Sequence, residues 1–183
     1  PNRRLTQYRL ENWGVEEGLP SLSVSVVTQT PDGYLWVGTT EGLARFDGVR
    51  FETYDRWNTP AFKLNEIRSL FVDSRGALWI GFAGSGVVVR ERDEFVAVQP
   101  GDVTAVNFAE DADGAPVAYG RRNAADGSGA LWTLSPGGFV EHPLPAGLRV
   151  LQSQLRVAED GAYHLVLADQ ISGNILHARK AAT

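Results

Sequence analysis

The chain has 183 residues, 43% apolar and 21% charged, the length and composition of one globular domain with a sizeable core. Its 17 basic and 22 acidic residues give a net charge of −5, which argues against nucleic acid as a partner. The absence of cysteine excludes disulfides, thiol catalysis and cysteine-based metal sites, and no stretch approaches the roughly 18 consecutive apolar residues of a membrane span.

The first residues, Pro1-Asn2-Arg3-Arg4, lack both an initiator methionine and the apolar run of a secretory leader, and read as a trimmed or internal start. Arg4-Leu5-Thr6-Gln7-Tyr8 then matches the pattern of Arg50-Phe51-Glu52-Thr53-Tyr54 further on. From Val24 the chain reads as short strands punctuated by glycine. Val24–Gln29 leads to the hairpin signal Asp32-Gly33, followed by a strand at 34–39 and another at 43–46. Asp47-Gly48 turns the chain again into Phe51–Tyr54. The same succession recurs at 67–73, 77–82, 87–91 and 95–98.

The recurrence is a true repeat. Gly33, Leu35, Trp36 and Gly38 reappear as Gly76, Leu78, Trp79 and Gly81 at an offset of 43, and Phe51, Phe95 and Phe139 follow at intervals of 44. Asp113-Gly114 and Asp160-Gly161 mark two further, more degraded copies, the last with strands at 150–157, 163–167 and 174–178. A four-strand unit of this period, with no amphipathic helix, predicts an all-β propeller of four-stranded antiparallel blades. Four blades are expected, at about 13–56, 57–98, 99–142 and 143–183. Residues 4–10 would supply the outer strand that the last blade lacks, which closes a small ring; the alternative is a portion of a larger propeller.

Trp13, Leu19-Pro20-Ser21, Val24, Gln29, Asp32 through Thr39, Glu41 through Gly48, Phe51 and Tyr54 closely resemble the two-component regulator propeller repeat. The resemblance is dense over 13–54, good over 65–98 and weak beyond 103. It implies the sensory propeller of a bacterial receptor, outside the cytoplasm or in the periplasm, whose output domain is a histidine kinase or a diguanylate cyclase. It further implies propellers of about seven blades, within the range known for the fold, and in some members an oligosaccharide ligand. The domain itself would then be no enzyme, would need no cofactor, and would meet the membrane only through its parent receptor. Homo-oligomers or the remainder of a larger propeller are the expected partners. A metal-dependent propeller lyase or hydrolase and a pure protein-interaction propeller remain the alternatives.

Trp36 and Trp79, in identical phase, read as packing between blades, together with Gly33, Gly76, Gly38, Gly81, Phe51, Phe95 and Phe139. Trp132 does not share that phase. Trp57 lies instead in the polar, turn-rich connection Arg56 to Pro60, where a loop aromatic can stack on a sugar or anchor a partner. The longest loop starts with Arg121-Arg122, and arginine forks suit carboxylates and phosphates. Ligand binding is therefore expected at Arg121, Arg122, Trp57, Lys63 and Asn65, with Glu41 and Asp169 on the rim. These lie on one face of the propeller, and the opposite face is expected to hold tight hairpins with little room for chemistry. Glu110-Asp111-Ala112-Asp113-Gly114 reads as a hairpin and not a calcium loop. His142, His164 and His177 show no zinc-motif spacing, and Gly84-Ser85-Gly86 and Gly127-Ser128-Gly129 read as turns. No catalytic residue and no metal ligand is assigned.

Overall fold

A computed structural model describes residues 11–84, 86–98, 103–111, 113–122, 129–135, 138–143, 150–158, 162–169 and 175–180. The predicted closing strand at 4–10 and most of the 122–128 loop lie outside the described residues.

Asp-Gly turns and short β-rich runs produce consecutive antiparallel meanders. Blade 1 comprises β1 (Val24–Gln29), β2 (Leu35–Thr39), β3 (Gly42–Phe46) and β4 (Phe51–Tyr54). Blade 2 comprises β5 (Ile67–Val72), β6 (Leu78–Phe82), β7 (Val87–Glu91) and β8 (Glu94–Val98). Blade 3 comprises β9 (Val103–Glu110), β10 (Pro116–Arg122), β11 (Gly129–Ser135) and β12 (Gly138–Pro143). Blade 4 comprises, among the described residues, the three strands β13 (Val150–Val157), β14 (Tyr163–Asp169) and β15 (Ile175–Lys180). The architecture is the expected all-β propeller of antiparallel blades, with no helix among the described residues.

The same backbone bond closes the turn between the first two strands of each blade. The backbone N–H of Thr30, Asp73, Asp111 and Ala158 donates to the carbonyl four residues on, at Tyr34, Ala77, Ala115 and Ala162. Gly33, Gly76 and Gly114 complete it at φ of 92°, 84° and 76°, a conformation open to glycine at little cost. These turns set the four blades in register. Trp36, Trp79, Val117 and His164 each stand two residues beyond the accepting carbonyl and occupy one station in the repeat.

At that station the indole of blade 1 turns toward blade 2. Trp36 is fully buried in a core with Leu43, Phe62, Ile67, Leu78, Ile80, Phe82 and Val88. Trp79 does the same toward blade 3, beside Phe108 and Ala118. Alternate residues along each strand thus feed the two faces of the blade, which is how a stack of sheets shares apolar surface. Gly38 is glycine for space: a Cβ there would stand 2.7 Å from Ile67 Cγ2 and 2.8 Å from Val26 Cγ1. Ser25 Oγ fastens the same approach by donating to the carbonyls of Gly38 and Ile67.

The inner strands touch in succession, β1 with β5, β5 with β9, and β9 with β13. Among the described residues no contact of similar extent joins β13 back to β1. The leading face of blade 1 is covered instead by the segment before β1. Leu19 packs on Val37, Ala44 and Phe51, and the Trp13 ring lies 4.6 Å from that of Phe46. Val27 on this face remains 56% exposed, whereas its counterpart Leu70 in blade 2 packs in the core under blade 1.

Candidate functional site

The meander puts two sets of connections at one end of the molecule, those entering each inner strand and those joining second to third strands. Contacts between them show the convergence. Ser21 and Thr40 share a hydroxyl–hydroxyl bond of 3.0 Å. A Cβ on Gly42 would meet the Tyr54 carbonyl oxygen at 2.8 Å and Asp55 Cβ at 3.7 Å, and one on Gly84 would meet Leu64 Cδ1 at 2.9 Å.

The connection from blade 1 to blade 2 is held by its own set of hydrogen bonds. Asp55 Oδ1 accepts from the N–H groups of Trp57 and Asn58, at 2.8 and 3.0 Å. Asn58 returns the bond by accepting from the Asp55 N–H at 2.9 Å and donating to the Thr53 carbonyl at 3.0 Å. The Asn65 amide oxygen accepts from the Arg56 N–H at 3.0 Å, and the backbone closes through Thr59 and Phe62 N–H groups. Phe62 anchors the loop from below, edge-on to Phe82 and Phe95. Short Asx-type bonds of this kind replace the ladder where the chain leaves a sheet.

What the loop presents is Trp57, 72% exposed, with the Arg56 guanidinium 4.3 Å from the ring centroid. The cation holds one face of the indole and adds a charge at its edge. A large aromatic plane is thus held on a loop with its own hydrogen-bond frame, an arrangement suited to stacking on a flat apolar surface.

The other predicted site residues fall around it unevenly. Glu41 is exposed in the second-to-third connection of blade 1, its N–H bonded to Thr39 Oγ1. Lys63 is exposed on the Trp57 loop itself. Asn65 is spent on holding that loop. Arg121 is exposed at the same end of the propeller but in blade 3, opposite Gly129 in register. Arg122 and Asp169 lie on β10 and β14 at that end, their side chains outside the described residues. Trp57, Lys63 and Asn65 therefore share one connection, Glu41 precedes Gly42, which approaches Asp55 at the start of that connection, and Arg121 belongs to a separate blade.

Three features escaped the sequence reading. The Arg56–Trp57 stack is one. The second is Tyr119, buried on the same face of β10 as Arg121, whose hydroxyl has no hydrogen-bond partner among the described residues. Burial pushes that hydroxyl up to about 12, against the opposing pull of Arg121. The third is a contact between His164 and His177 across β14 and β15.

The opposite end is not featureless. An open depression of about 480 Å³ is lined by Arg45, Asp47, Arg50, Phe51 and Glu52, and one of about 260 Å³ by Arg75, Gly76, Ala77, Glu91 and Arg92. Their charges are largely paired: Arg45 with Glu52 at 2.5 Å, Arg50 with Asp47 at 3.6 Å and Arg75 with Asp73 at 2.9 Å. At the third hairpin, Asp111 Oδ1 accepts from the Asp113 and Ala115 N–H groups, as the predicted turn requires. Glu110 is committed to Ser74 of blade 2 through its N–H and hydroxyl.

Comparison with known proteins bears on the same two blades. Residues 18–41 and 61–84 match the family described as two component regulator propeller. No curated protein matches the chain. Among solved structures, the chain is similar to the extracellular domain of a hybrid two-component system of B. thetaiotaomicron. The identity is 22% and the TM-score 0.66, over 92% of this chain and 26% of that one. A second such extracellular domain from that organism matches at 13% identity and TM-score 0.65, over 87% of this chain and 22% of that one. PorZ, a surface component of the type-IX secretion system of Porphyromonas gingivalis, matches at 12% and 0.54, over 88% and 28%. The chain spans about a quarter of the length of these structures, and at such identities the likeness is one of fold. The chain is an all-β propeller whose first two blades each contain a segment, 18–41 and 61–84, that matches the two component regulator propeller family.

Proposed function

We propose that this chain is part of the ligand-sensing, extracytoplasmic portion of a bacterial signalling receptor, and that it binds a saccharide on its loop face through Trp57. The observation that carries the reading is the exposed indole on a hydrogen-bonded loop. A sugar ring offers an apolar face of C–H groups to such a plane and hydroxyls to its polar border. Arg56, Lys63 and Glu41 supply that border. The matched repeat family and the extracellular placement of two similar structures support the receptor setting.

In this reading the domain performs no chemistry. It shifts an equilibrium between two arrangements of receptor chains, to the extent that the saccharide binds one of them more tightly. The output, a histidine kinase or a diguanylate cyclase, lies elsewhere in the receptor. A second reading, a protein-interaction propeller, is favoured by the exposed Trp13, Val15, Leu22, Val24 and Val27 about the start of blade 1.

A glycan array probed with the chain and with Trp57→Ala separates them. The sensor reading expects a set of oligosaccharides bound by the wild type and lost in the variant. No saccharide bound by either, or equal binding by both, overturns it.

A further inference from the structure

The last blade departs from the first two at the indole station, where His164 stands in place of tryptophan. On the neighbouring strand, His177 sits one diagonal step away, since His164 faces Arg179 and Val166 faces His177 in the β14–β15 register. His164 Nδ1 and His177 Nε2 stand 2.9 Å apart, with ring centroids 5.1 Å apart and planes inclined by 15°. Stacked rings would hold their facing atoms about 3.5 Å apart. At 2.9 Å and near-coplanar, the two nitrogens meet head-on in the ring planes, where the lone pairs lie.

We infer that His164 and His177 form a binding site for a divalent ion of the nickel, copper and zinc class, on the face of blade 4 turned away from blade 3. Imidazole nitrogens select these ions, whereas calcium and magnesium require oxygen. At 2.9 Å the two nitrogens stand within hydrogen-bond distance of each other. Exchange of the donor ring to its other tautomer through solvent frees the second lone pair with no change of charge. His177 is exposed and His164 partly so, which leaves room for the rings to reorient about an ion. Water fills the remaining coordination positions. The antiparallel register fixes the two backbones, so the site is preassembled on rigid strands.

The same face sets a limit on affinity. Arg156 and Arg179 both lie opposite His164 in register, and both are exposed. Their charges oppose a divalent cation, so the site is weaker than a closed four-ligand zinc centre and prefers an ion accompanied by an anion. The sequence hid this pair because metal motifs are spacings along one element, and here the ligands converge across a hairpin.

Isothermal titration of the chain with nickel chloride tests the site, with His164→Ala, His177→Ala and His142→Ala as variants. The expected result is one ion per wild-type chain, with affinity reduced at least about tenfold in the first two variants and unchanged in the third. Far-UV circular dichroism checks that each variant is folded. Copper(II) paramagnetic resonance gives a readout that folding alone would not move, namely coupling to two imidazole nitrogens in the wild type and one in either single variant. Absence of nickel binding, binding undiminished in His177→Ala, or coupling to fewer than two nitrogens overturns the proposal.

Discussion

Blades 1 and 2 and blades 3 and 4 share a backbone plan and differ at the station that joins one blade to the next. In blade 1 the Trp36 indole N–H donates to Thr30 Oγ1 at 2.9 Å, and in blade 2 the Trp79 indole N–H donates to Asp73 Oδ2 at 3.1 Å. Each bond ties the interblade aromatic to the first residue of its own hairpin. Blades 3 and 4 pair Asp111 with Val117 and Ala158 with His164, and the tie is absent by chemistry. The apolar part of the station can be filled by valine. The polar part needs both an indole and an acceptor, and only the matched repeats have both.

The first junction is also sealed by cations. The buried Arg90 of blade 2 lies 4.8 Å from the Trp36 ring centroid and bonds Asp93. Arg45 of blade 1 lies 4.4 Å from the Tyr34 ring and bonds Glu52. Tyr54, pressed into the same junction, has its hydroxyl pushed up to about 12 by burial and by Glu52. The loop that presents Trp57 springs from this junction, so the candidate binding surface stands on the better-fastened half of the chain.

Removing the indole should have the largest effect. Trp79→Ala is expected to cost about 3–5 kcal/mol in denaturant unfolding, as for other large buried aromatics. Val117→Ala, the same station in blade 3, should cost about 2 kcal/mol. Equal losses would erase the distinction between the halves. A smaller effect follows from the tie alone. Thr30→Val leaves the Trp36 N–H buried without an acceptor and should cost about 1–3 kcal/mol, whereas Thr30→Ser should restore most of it.

The tie in blade 2 is ionic and therefore pH-dependent. Burial of Asp73 disfavours its charge, but the Trp79 indole, the Arg75 guanidinium and the Ala77 N–H outweigh it and hold the carboxyl below its usual range. Its contribution is complete above the unfolded-state value near 3.9 and disappears as pH falls through the lower folded value. The melting temperature should consequently fall with acidification below about pH 4. Asp73→Asn should flatten that acid limb, and an unchanged limb in the variant would remove Asp73 from the account. The smallest effect on stability belongs to Trp57→Ala, within about 0.5 kcal/mol of the wild type because the side chain is exposed.

Much of the architecture was legible because propeller repeats write their turns in glycine. The strands at 24–29, 51–54 and 87–91 follow directly from runs between Asp-Gly and Gly signals, and Trp36 and Trp79 announced their role by phase. The site was legible only in part. An exposed aromatic in a polar turn can be found in sequence, which is how Trp57 stood out. That Asn65 would be consumed in holding the loop, or that Arg56 would cover one side of the ring, depends on bonds nine residues apart or on side-chain direction. The His164–His177 contact depends on strand register, which spacing alone does not encode.

The central claim, a fastened two-blade scaffold presenting Trp57 to a saccharide, is tested most directly by the indole N–H signals of the five tryptophans. Their nuclear magnetic resonance spectrum would be followed during titration with the strongest array ligand. The account predicts that the Trp57 signal shifts on binding, while those of Trp36 and Trp79 stay in place and exchange slowly with solvent. A ligand that binds without moving the Trp57 signal, or one that moves Trp36 or Trp79 instead, would contradict it.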